Sequence, residues 1–235
     1  MNVRRMLSKM LWMRYKHFLL DIKGFRNNTI HDDAHFLDLF MDVYGKGKAL
    51  LGIRELQNIY CLVQAVEQVP GDIAEVGVYK GGSARIICEV KGKKDLHLFD
   101  TFQGMPPVNR TVDLHKEGEF ADTSLDIVKE YLAGFTGVYF HKGLFPGTAS
   151  KVAESGIRFS VVNLDVDIYQ STLDGLKFFY PILSGGGILI SHDYRNQKCP
   201  GVRRAFAEFL SDKPEILVPL WDSQCLFIKI NDGAS

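Results

Sequence analysis

The chain has 235 residues, of which 46% are hydrophobic, so it is long enough for one large α/β domain with an extension. Its 28 basic residues balance 28 acidic ones, and no overall charge points to a nucleic acid or an acidic substrate as the partner. The four cysteines lie far apart and form no CxxC pair, which predicts reduced thiols in a cytoplasmic protein: Cys61, Cys88, Cys199 and Cys225.

The first 30 residues are basic, with seven Lys or Arg side chains against Asp21. We expect an amphipathic helix here that packs on the domain or on a second subunit, and hence a homo-oligomer. Contact with a membrane surface or a polyanion is the alternative. No stretch approaches the ~20 apolar residues that span a bilayer, so we expect no stable membrane insertion.

The chain is expected to divide at residue 70. Residues 1–70 read as an N-terminal helical extension, and the segment "IRELQNIYCLVQAVEQV" has apolar side chains at helical spacing that predict a face lying on a core. In residues 71–235 short apolar runs alternate with helical stretches. Strands are predicted over 72–77, 95–100, 138–143, 158–167 and 187–193, with helices between them.

This alternation predicts an α/β fold with a doubly wound, mostly parallel sheet of seven strands. The last two apolar runs, "EILVPLW" and "CLFIKI", are separated by only three residues. So short a connection cannot cross over between parallel strands, and an antiparallel C-terminal strand follows. The polar stretch at 101–122, which we call the 101–122 loop, is unusually long and reads either as a lid or as a surface insertion.

The segment "EVGVYKGGSA" at 75–84 has the composition of a ligand-binding turn. Gly77 permits a tight turn after the strand, Gly81 and Gly82 allow a ligand to approach the backbone, and Ser83 is expected to cap the next helix. The spacing is neither the dinucleotide GxGxxG nor a P-loop, and it suits the amino-acid part of S-adenosylmethionine. Asp100, 23 residues after Gly77, suits the hydroxyls of a ribose.

Two core strands end in acids: Asp165 and Asp167 follow one strand, and His192 and Asp193 follow the next. Neighbouring strand ends would bring Asp165 and Asp193 together, where the pair must bind a proton or a cation. Oxygen ligands suit Mg²⁺. His192 is a softer candidate ligand, or a residue turned into a hydrogen bond, and Asp167 is either a supporting group or a helix cap.

Seven motifs resemble, in order, those of the TylF/MycF-type macrocin O-methyltransferases, which are class I S-adenosylmethionine-dependent enzymes. The resemblance covers about residues 48–230, and its motifs are "DIAEVGVYKGGSA", "LFDTFQGMP", "DTSLDIV", "KGLFPGT", "LDVDIYQST", "GGGILISHDY" and "GVRRAFAEF". It implies that residues 71–235 form the S-adenosylmethionine-binding domain, that Mg²⁺ is bound, and that a small-molecule glycoside or sugar is methylated on oxygen in natural-product biosynthesis.

The resemblance also implies the roles of individual residues. Asp165 matches a metal ligand that also serves as the presumed catalytic base, Asp193 matches a second metal ligand, and His192 stands where the family has an aspartate. This departure puts metal identity and metal use in question. The implied cofactor contacts are Glu75, Gly77, Tyr79, Gly81, Ser83, Asp100, Thr101, Phe102, Ser124, Gly143, Phe145 and Asp165.

Two alternatives stay open at the level of the sequence. One is a methyltransferase that needs no metal and uses His192 or His141 as its base. The other is a non-catalytic module that binds S-adenosylmethionine, in which His192 marks the loss of a metal site.

Overall fold

The structure is a computed structural model that describes residues 33–230. The basic segment for which we expect an amphipathic helix therefore lies outside the described residues. The chain divides after Met41 into two units, and the second, which begins at Asp42, holds every strand of the described residues. The expected boundary at residue 70 stays a prediction. Among the described residues, no helix is long and apolar enough to cross a bilayer.

A seven-stranded sheet forms the centre of the second unit, with the order β3-β2-β1-β4-β5-β7-β6. Strands β1 to β5 pair in parallel, whereas β7 pairs antiparallel with both β5 and β6. The strands are β1 (Asp72–Val76), β2 (Leu96–Asp100), β3 (Val138–Lys142), β4 (Phe159–Leu164), β5 (Leu183–Ser191), β6 (Val218–Pro219) and β7 (Cys225–Ile228). The predicted fold class and the antiparallel end of the sheet are confirmed.

Seven α-helices occur in the described residues. They are α1 (Ala34–Gly45), α2 (Ile53–Ala65), α3 (Gly82–Val90), α4 (Leu125–Tyr131), α5 (Ser150–Glu154), α6 (Tyr169–Phe179) and α7 (Pro200–Phe209). Short 3-10 turns precede α5 and follow α6. As predicted, α2 buries the side chains that share one of its faces, and it packs against α3.

The sheet is held by apolar side chains on strands that are buried along most of their length. An aromatic cluster of Phe99, Phe145, Phe159 and Phe179 packs edge-to-face and stacked within the main hydrophobic core. Phe99 immediately precedes Asp100, the last residue of β2, so this core packing anchors the strand at the residue before the site.

Four local features differ from the prediction. Strand β5 covers Leu183–Ser191, whereas a strand was predicted over 187–193, so His192 and Asp193 follow the strand. Strand β4 ends at Leu164, so Asp165 to Asp167 lie in the following loop. Strand β6 has only two residues, because the rest of "EILVPLW" does not pair. Helix α3 begins at Gly82 with Gly81 as its N-cap at φ +82°, so Ser83 lies inside the first turn and does not cap the helix. A left-handed backbone at the cap selects glycine over serine.

Candidate active site

A cleft with a volume of about 290 Å³ opens at the carboxyl ends of the parallel strands. It lies where the strand order reverses between β1 and β4, the usual position of a ligand in an open α/β sheet. Most of the predicted site residues line it: Gly77, Tyr79, Ser83, Asp100, Thr101, Gly143, Phe145, Asp165, His192 and Asp193. The fold thus brings residues from five separate segments to one cavity.

Gly77 is required by the close approach of two strand ends. Its φ of +87° is in the left-handed region, and a Cβ atom there would lie 1.7 Å from the backbone oxygen of Asp165. Gly82 is similarly crowded, because its Cβ would lie 2.5 Å from the Cβ of Ala49. The glycines of this segment therefore allow the turn and the loop before α2 to pack closely around the cleft.

The carboxylate of Asp100 shapes the turn that follows β1. Its Oδ2 atom accepts hydrogen bonds from the backbone N–H groups of Val78 (2.6 Å) and Tyr79 (3.0 Å). Its Oδ1 atom accepts from the N–H of Phe102 at 2.7 Å. The Thr101 hydroxyl is also 3.4 Å from Oδ1, a long contact beside its 2.7 Å hydrogen bond to the backbone oxygen of Gly104. Carboxylate oxygens offer about four acceptor positions, so a ribose hydroxyl would take the position of this long contact. The ribose contact of Asp100 stays a prediction.

Glu75 lies inside β1 and is fully buried. Asn163 Nδ2 donates to its Oε1 at 2.8 Å, while the Oε2 atom has no hydrogen-bond partner by distance and angle. Burial raises the pKa of Glu75 to about 8, although the neighbouring Ser83 and Asn163 side chains favour its charged form. The carboxyl group is thus neutral at pH 7, and Glu75 is not among the described residues that line the cleft.

Three other implied cofactor residues also lie outside the set that lines the cleft: Gly81, Phe102 and Ser124. The hydroxyl of Ser124 caps α4 by accepting the N–H of Ile127 at 3.3 Å. Phe102 is buried, and Gly81 is the N-cap of α3. Their roles in cofactor binding stay predictions, and in this structure each has a local structural function.

Asp165, His192 and Asp193 form one cluster at the floor of the cleft. One ligand atom from each lies within 4.8 Å of the others. His192 Nδ1 is 3.3 Å from Asp165 Oδ1 and 2.9 Å from Asp193 Oδ2. Asp193 adopts a left-handed backbone, φ +65°, which aspartate tolerates better than most residues. The expectation that the two strand ends meet holds in this geometry.

Glu55, which the sequence reasoning missed, completes this cluster from α2. Its Oε1 atom is 3.1 Å from His192 Nε2 and accepts the hydroxyl of Ser223 at 2.6 Å. Its Oε2 atom accepts the N–H of Gly52 at 2.9 Å. A signal existed, because Glu55 lies four residues before the buried Ile59 and so falls on the apolar face of α2.

Within this cluster the carboxylates favour the protonated form of His192, and His192 in turn favours the ionised form of Glu55. Burial alone would lower the pKa of His192, but the negative charge of Asp165 and hydrogen bonds to Asp165, Asp193 and Glu55 hold it well above its ordinary value. Burial would raise the pKa of Glu55, yet the hydrogen bond and positive charge of His192 lower it to about 2. The protonated form of His192 is therefore favoured, and its single positive charge offsets only part of the negative charge of the three carboxylates around it.

Asp165, His192 and Asp193 could together bind a divalent cation, provided that His192 loses the proton on Nδ1. Two carboxylates and a ring nitrogen face a common point, and Glu55 stands behind the far nitrogen of His192 as carboxylates commonly do behind metal-bound histidines. A cation would have to displace the proton on Nδ1. The nitrogen donor also makes the set softer than the oxygen ligands that Mg²⁺ prefers.

Asp167 does not cap the helix that follows it, which was one of its two expected roles, whereas its other expected role, as a supporting group beside Asp165 and Asp193, stays a prediction. Helix α6 begins at Tyr169 with Ile168 as its N-cap, and the carboxylate that accepts the Tyr169 N–H belongs to Asp113, at 2.8 Å. Burial and the negative charges of Asp165 and Asp193 raise the pKa of Asp167 well above its usual range. Asp167, at φ +60°, instead turns into the cleft.

The 101–122 loop is a folded part of the cleft wall. It closes on itself through Met105 N–H to Glu119 O (2.7 Å) and Gly118 N–H to Met105 O (3.0 Å). Asp113 is buried and anchors the loop to α6, and His115 reaches the cleft. Sequence reasoning missed both residues, because an irregular loop carries no periodic signal that places a side chain.

His141, the other candidate base, lies on β3. Its Nε2 atom is 3.0 Å from Nδ1 of His97, and it is not among the described residues that line the cleft. Burial, and then the neighbouring His97, lower the pKa of His141 to about 4. The geometry therefore gives His141 no route to a substrate held beside Asp165.

Comparison with known proteins places this geometry in context. The family model described as "Macrocin-O-methyltransferase (TylF)" matches residues 15–227. The chain is 33% identical to a mycinamicin III 3''-O-methyltransferase of Micromonospora griseorubida, over 68% of this chain and 69% of the relative. It is 32% identical to an 8-demethyl-8-(2,3-dimethoxy-alpha-L-rhamnosyl)-tetracenomycin-C 4'-O-methyltransferase of Streptomyces olivaceus, over 64% of each chain. The match thus spans slightly less than two thirds of the tetracenomycin relative.

Among solved structures, the chain is similar to the O-methyltransferase NovP. The TM-score is 0.68 and the sequence identity 27%, over 78% of this chain and 82% of NovP. The calicheamicin methyltransferase CalS11 superposes with a TM-score of 0.66 at 19% identity and therefore supports the fold.

Proposed function

Because this chain belongs to the macrocin-O-methyltransferase (TylF) family and is an S-adenosylmethionine-dependent O-methyltransferase, we propose that its acceptor is a sugar hydroxyl of a glycosylated natural product. The resemblance seen in the sequence motifs is confirmed, and the family match begins at residue 15, well before the first motif. The relatives whose names specify a sugar position support the acceptor class.

The cofactor is proposed to lie along the β1 and β2 side of the cleft. The turn at Gly77–Tyr79 presents backbone atoms to the cavity, and Ser83 lies beside it in the first turn of α3. Asp100 stands at the end of β2, where it can accept ribose hydroxyls while it holds the turn. Gly143 and Phe145 come from the segment after β3. Phe145 supplies an apolar wall for the adenine ring of the cofactor, and Gly143 leaves space beside it.

The acceptor is proposed to lie at the mouth of the same cleft. Leu50 and Leu144 line the cavity although 67% and 56% of their surfaces are exposed. Exposed apolar side chains at a cavity rim are typical of surfaces that contact a ligand. They suit the apolar ring system of a glycoside while the sugar points toward Asp165.

Asp165 is the proposed general base. The acceptor oxygen attacks the methyl carbon of S-adenosylmethionine in line with the breaking carbon–sulfur bond, S-adenosylhomocysteine leaves, and the hydroxyl proton passes to a carboxylate oxygen of Asp165. His192 and Asp193 hold that carboxylate in place, since all three lie within 4.8 Å. Orienting the hydroxyl beside its base is the main contribution of these side chains.

A divalent ion is proposed to assist, held by Asp165, His192 and Asp193. When bound, such an ion supplies Lewis-acid charge that makes the acceptor hydroxyl more acidic. Mg²⁺ is the ion that the family resemblance implies, and the nitrogen of His192 favours softer divalent ions. The position of the His192 ring among three carboxylates, which raises the pKa of His192, favours a second candidate, a metal-independent methyltransferase in which His192 supplies the positive charge.

The remaining expectations are proposals of the same kind. A balanced net charge supports a small-molecule substrate over a nucleic acid. Cysteines present as thiols, all four of which lie within the described residues, support a cytoplasmic location. The homo-oligomer was inferred from residues outside the described part of the chain and remains a prediction.

The convergence of Asp165 and Asp193 on one point carries the proposal, and substitution tests it. We expect Asp165→Asn and Asp193→Asn to lose methyl transfer to a rhamnoside acceptor by at least ~100-fold while they bind S-adenosylhomocysteine normally by calorimetry. Asp212→Asn, a change at an exposed residue that does not line the cleft, is the matched control. Full turnover in both cleft variants would remove the assigned base and metal ligands.

A chelator separates the two candidate functions. Treatment with EDTA followed by dialysis should abolish turnover, and added divalent ion should restore it, if the ion assists. Unchanged turnover after EDTA, with S-adenosylhomocysteine still released, selects the metal-independent enzyme. Cofactor binding without any product would instead select the non-catalytic module.

A further inference from the structure

A second group of metal-binding side chain types lies beside the catalytic cluster. His115 comes from the 101–122 loop, Asp167 from the segment after β4, and Cys199 from the residue before α7. One ligand atom from each lies within 4.8 Å of the other two. His115 Nε2 is 3.4 Å from Cys199 Sγ and 3.9 Å from Asp167 Oδ1. Segments far apart in sequence thus converge on one point.

The far side of His115 is held by a carboxylate. Glu119 Oε2 is 2.5 Å from Nδ1 of His115, so Nδ1 carries the hydrogen and Nε2 presents its lone pair. That lone pair faces the sulfur of Cys199 and the carboxylate of Asp167. A carboxylate behind a histidine, with the other nitrogen pointed at further donors, is the usual support of a metal-ligating imidazole.

The spacing and chemistry of the three donors select a class of ion. Donors at about 2.0–2.3 Å from a tetrahedral ion lie about 3.3–3.8 Å from one another, and the 3.4 Å and 3.9 Å separations are close to that range. Sulfur, nitrogen and oxygen donors together suit Zn²⁺ and similar borderline ions, whereas Mg²⁺ prefers oxygen alone.

The position of the group also suits an ion. Cys199 is buried at 1% exposure, while His115 and Asp167 line the cleft. Three protein donors with a fourth side open to a cavity are the pattern of a zinc site that keeps one exchangeable position. Its sulfur donor makes it chemically different from the cluster of Asp165, His192 and Asp193.

We propose that His115, Asp167 and Cys199 form a second divalent-cation site, of the zinc class, that ties the 101–122 loop to the N-terminus of α7. Binding replaces the thiol proton of Cys199, which passes to solvent, by a sulfur–metal bond, and no electron transfer is involved. An ion held here would fix the loop that forms part of the cleft wall and so set the shape of the cleft beside His115 and Asp167. This proposal stands independently of the methyl-transfer mechanism.

Cobalt titration of the full-length protein tests the site. Metal-free protein is titrated with Co²⁺, whose bond to a thiolate produces an intense charge-transfer band in the near ultraviolet, and Zn²⁺ is then added as competitor. We expect a thiolate band that saturates and then disappears with Zn²⁺, even if Asp165, His192 and Asp193 take up a further Co²⁺ ion that produces no thiolate band. The band should be lost in Cys199→Ser and kept in Cys61→Ser, a matched change at an exposed cysteine.

The results that would support this second metal site differ from those that would contradict it. Wild-type protein that takes up Co²⁺ without a thiolate band, or a band that persists in Cys199→Ser, overturns the proposal. If Cys199→Ser does not fold, Glu119→Gln decides instead, because the change leaves every ligand in place. A loss of Co²⁺ affinity of about 10–100-fold in Glu119→Gln supports the site, and wild-type affinity overturns it.

Discussion

Glu55 holds His192 from the side opposite Asp165 and Asp193: its Oε1 atom lies 3.1 Å from Nε2 of His192, while Nδ1 of the same ring faces the two aspartates. Glu55 is itself fixed by the Ser223 hydroxyl and the Gly52 N–H. The imidazole therefore has a single orientation, set by a helix that precedes the sheet in sequence. The position of Asp165 depends on this helix through His192.

Replacing Glu55 by glutamine should disturb the site without removing a residue that touches the substrate. The neutral amide withdraws one negative charge from His192, so the pKa of His192 should fall and the ring should be held less firmly. We expect kcat to fall about 10–100-fold, the KM for S-adenosylmethionine to stay constant, and the limb of the pH–rate profile that reports His192 to move to lower pH. Steady-state kinetics between pH 5 and pH 9 measures all three.

Glu67→Gln, an equivalent change at an exposed site just after α2, serves as the control and should behave as wild type. The positioning role of Glu55 is wrong if its glutamine variant keeps both the wild-type kcat and the wild-type pH profile.

Gly77→Ala should prevent the turn after β1 from closing. The added methyl would meet the Asp165 backbone oxygen at 1.7 Å, a distance no Cβ contact tolerates, so β1 and β4 would have to move apart. We expect a loss in the free energy of unfolding of more than about 4 kcal/mol, or no folded protein. Urea denaturation followed by circular dichroism measures the difference.

Gly92→Ala is the matched control, because Gly92 also has a positive φ, +59°, yet its Cβ would meet nothing within 4 Å. It should cost only the left-handed backbone penalty of about 1–2 kcal/mol. Equal losses in the two variants would show that the contact with Asp165 is unimportant.

The neutral Glu75 makes stability depend on pH. Its pKa is about 8 in the folded protein against 4.5 for the ordinary value, so the folded state binds the proton more tightly. The stabilisation is complete below pH 4.5 and is lost as the pH rises toward 8. Glu75→Gln, which resembles the protonated acid, should remove this loss and leave the variant more stable than wild type at pH 8.

Urea unfolding at pH 5, 6, 7 and 8 measures the effect as the difference between Glu75→Gln and wild type, which should grow with pH. A constant difference across this range would mean that Glu75 titrates near its ordinary pKa. Cofactor affinity measured on the same samples tests the predicted contact of Glu75, and an unchanged affinity would assign this residue to the core alone.

Much of this architecture followed from local patterns. Runs such as "RFSVVNL" are mainly apolar and do not alternate strictly between apolar and polar residues, because both faces of a central parallel strand are covered. The three-residue link before Cys225 excluded a parallel crossover, and β7 is antiparallel. The strand-end residues Asp165 and Asp193 could be paired in advance, since parallel strands present their carboxyl ends at one edge.

Other features depended on contacts that no local pattern encodes. Ser83 was expected to cap α3, but the left-handed backbone at Gly81 gave that position to glycine. Most of "EILVPLW" failed to pair, because β6 is an edge strand and only two of its residues meet β7. From the sequence, the 101–122 loop could be either a lid or a surface insertion. Its attachment to the start of α6, where Asp113 accepts the N–H of Tyr169, is a tertiary contact that no local pattern predicts.

The sequence by itself determined the order of strands and helices, the glycine turn and the acids at the strand ends, because these depend on periodicity and on neighbours along the chain. Only the tertiary structure decided that Glu55 and His115 join those acids, one from a helix before the sheet and one from an irregular loop. The raised pKa of His192 also follows only from the tertiary structure. A pKa depends on which groups lie within a few ångströms in space, and separation along the chain does not reveal that distance.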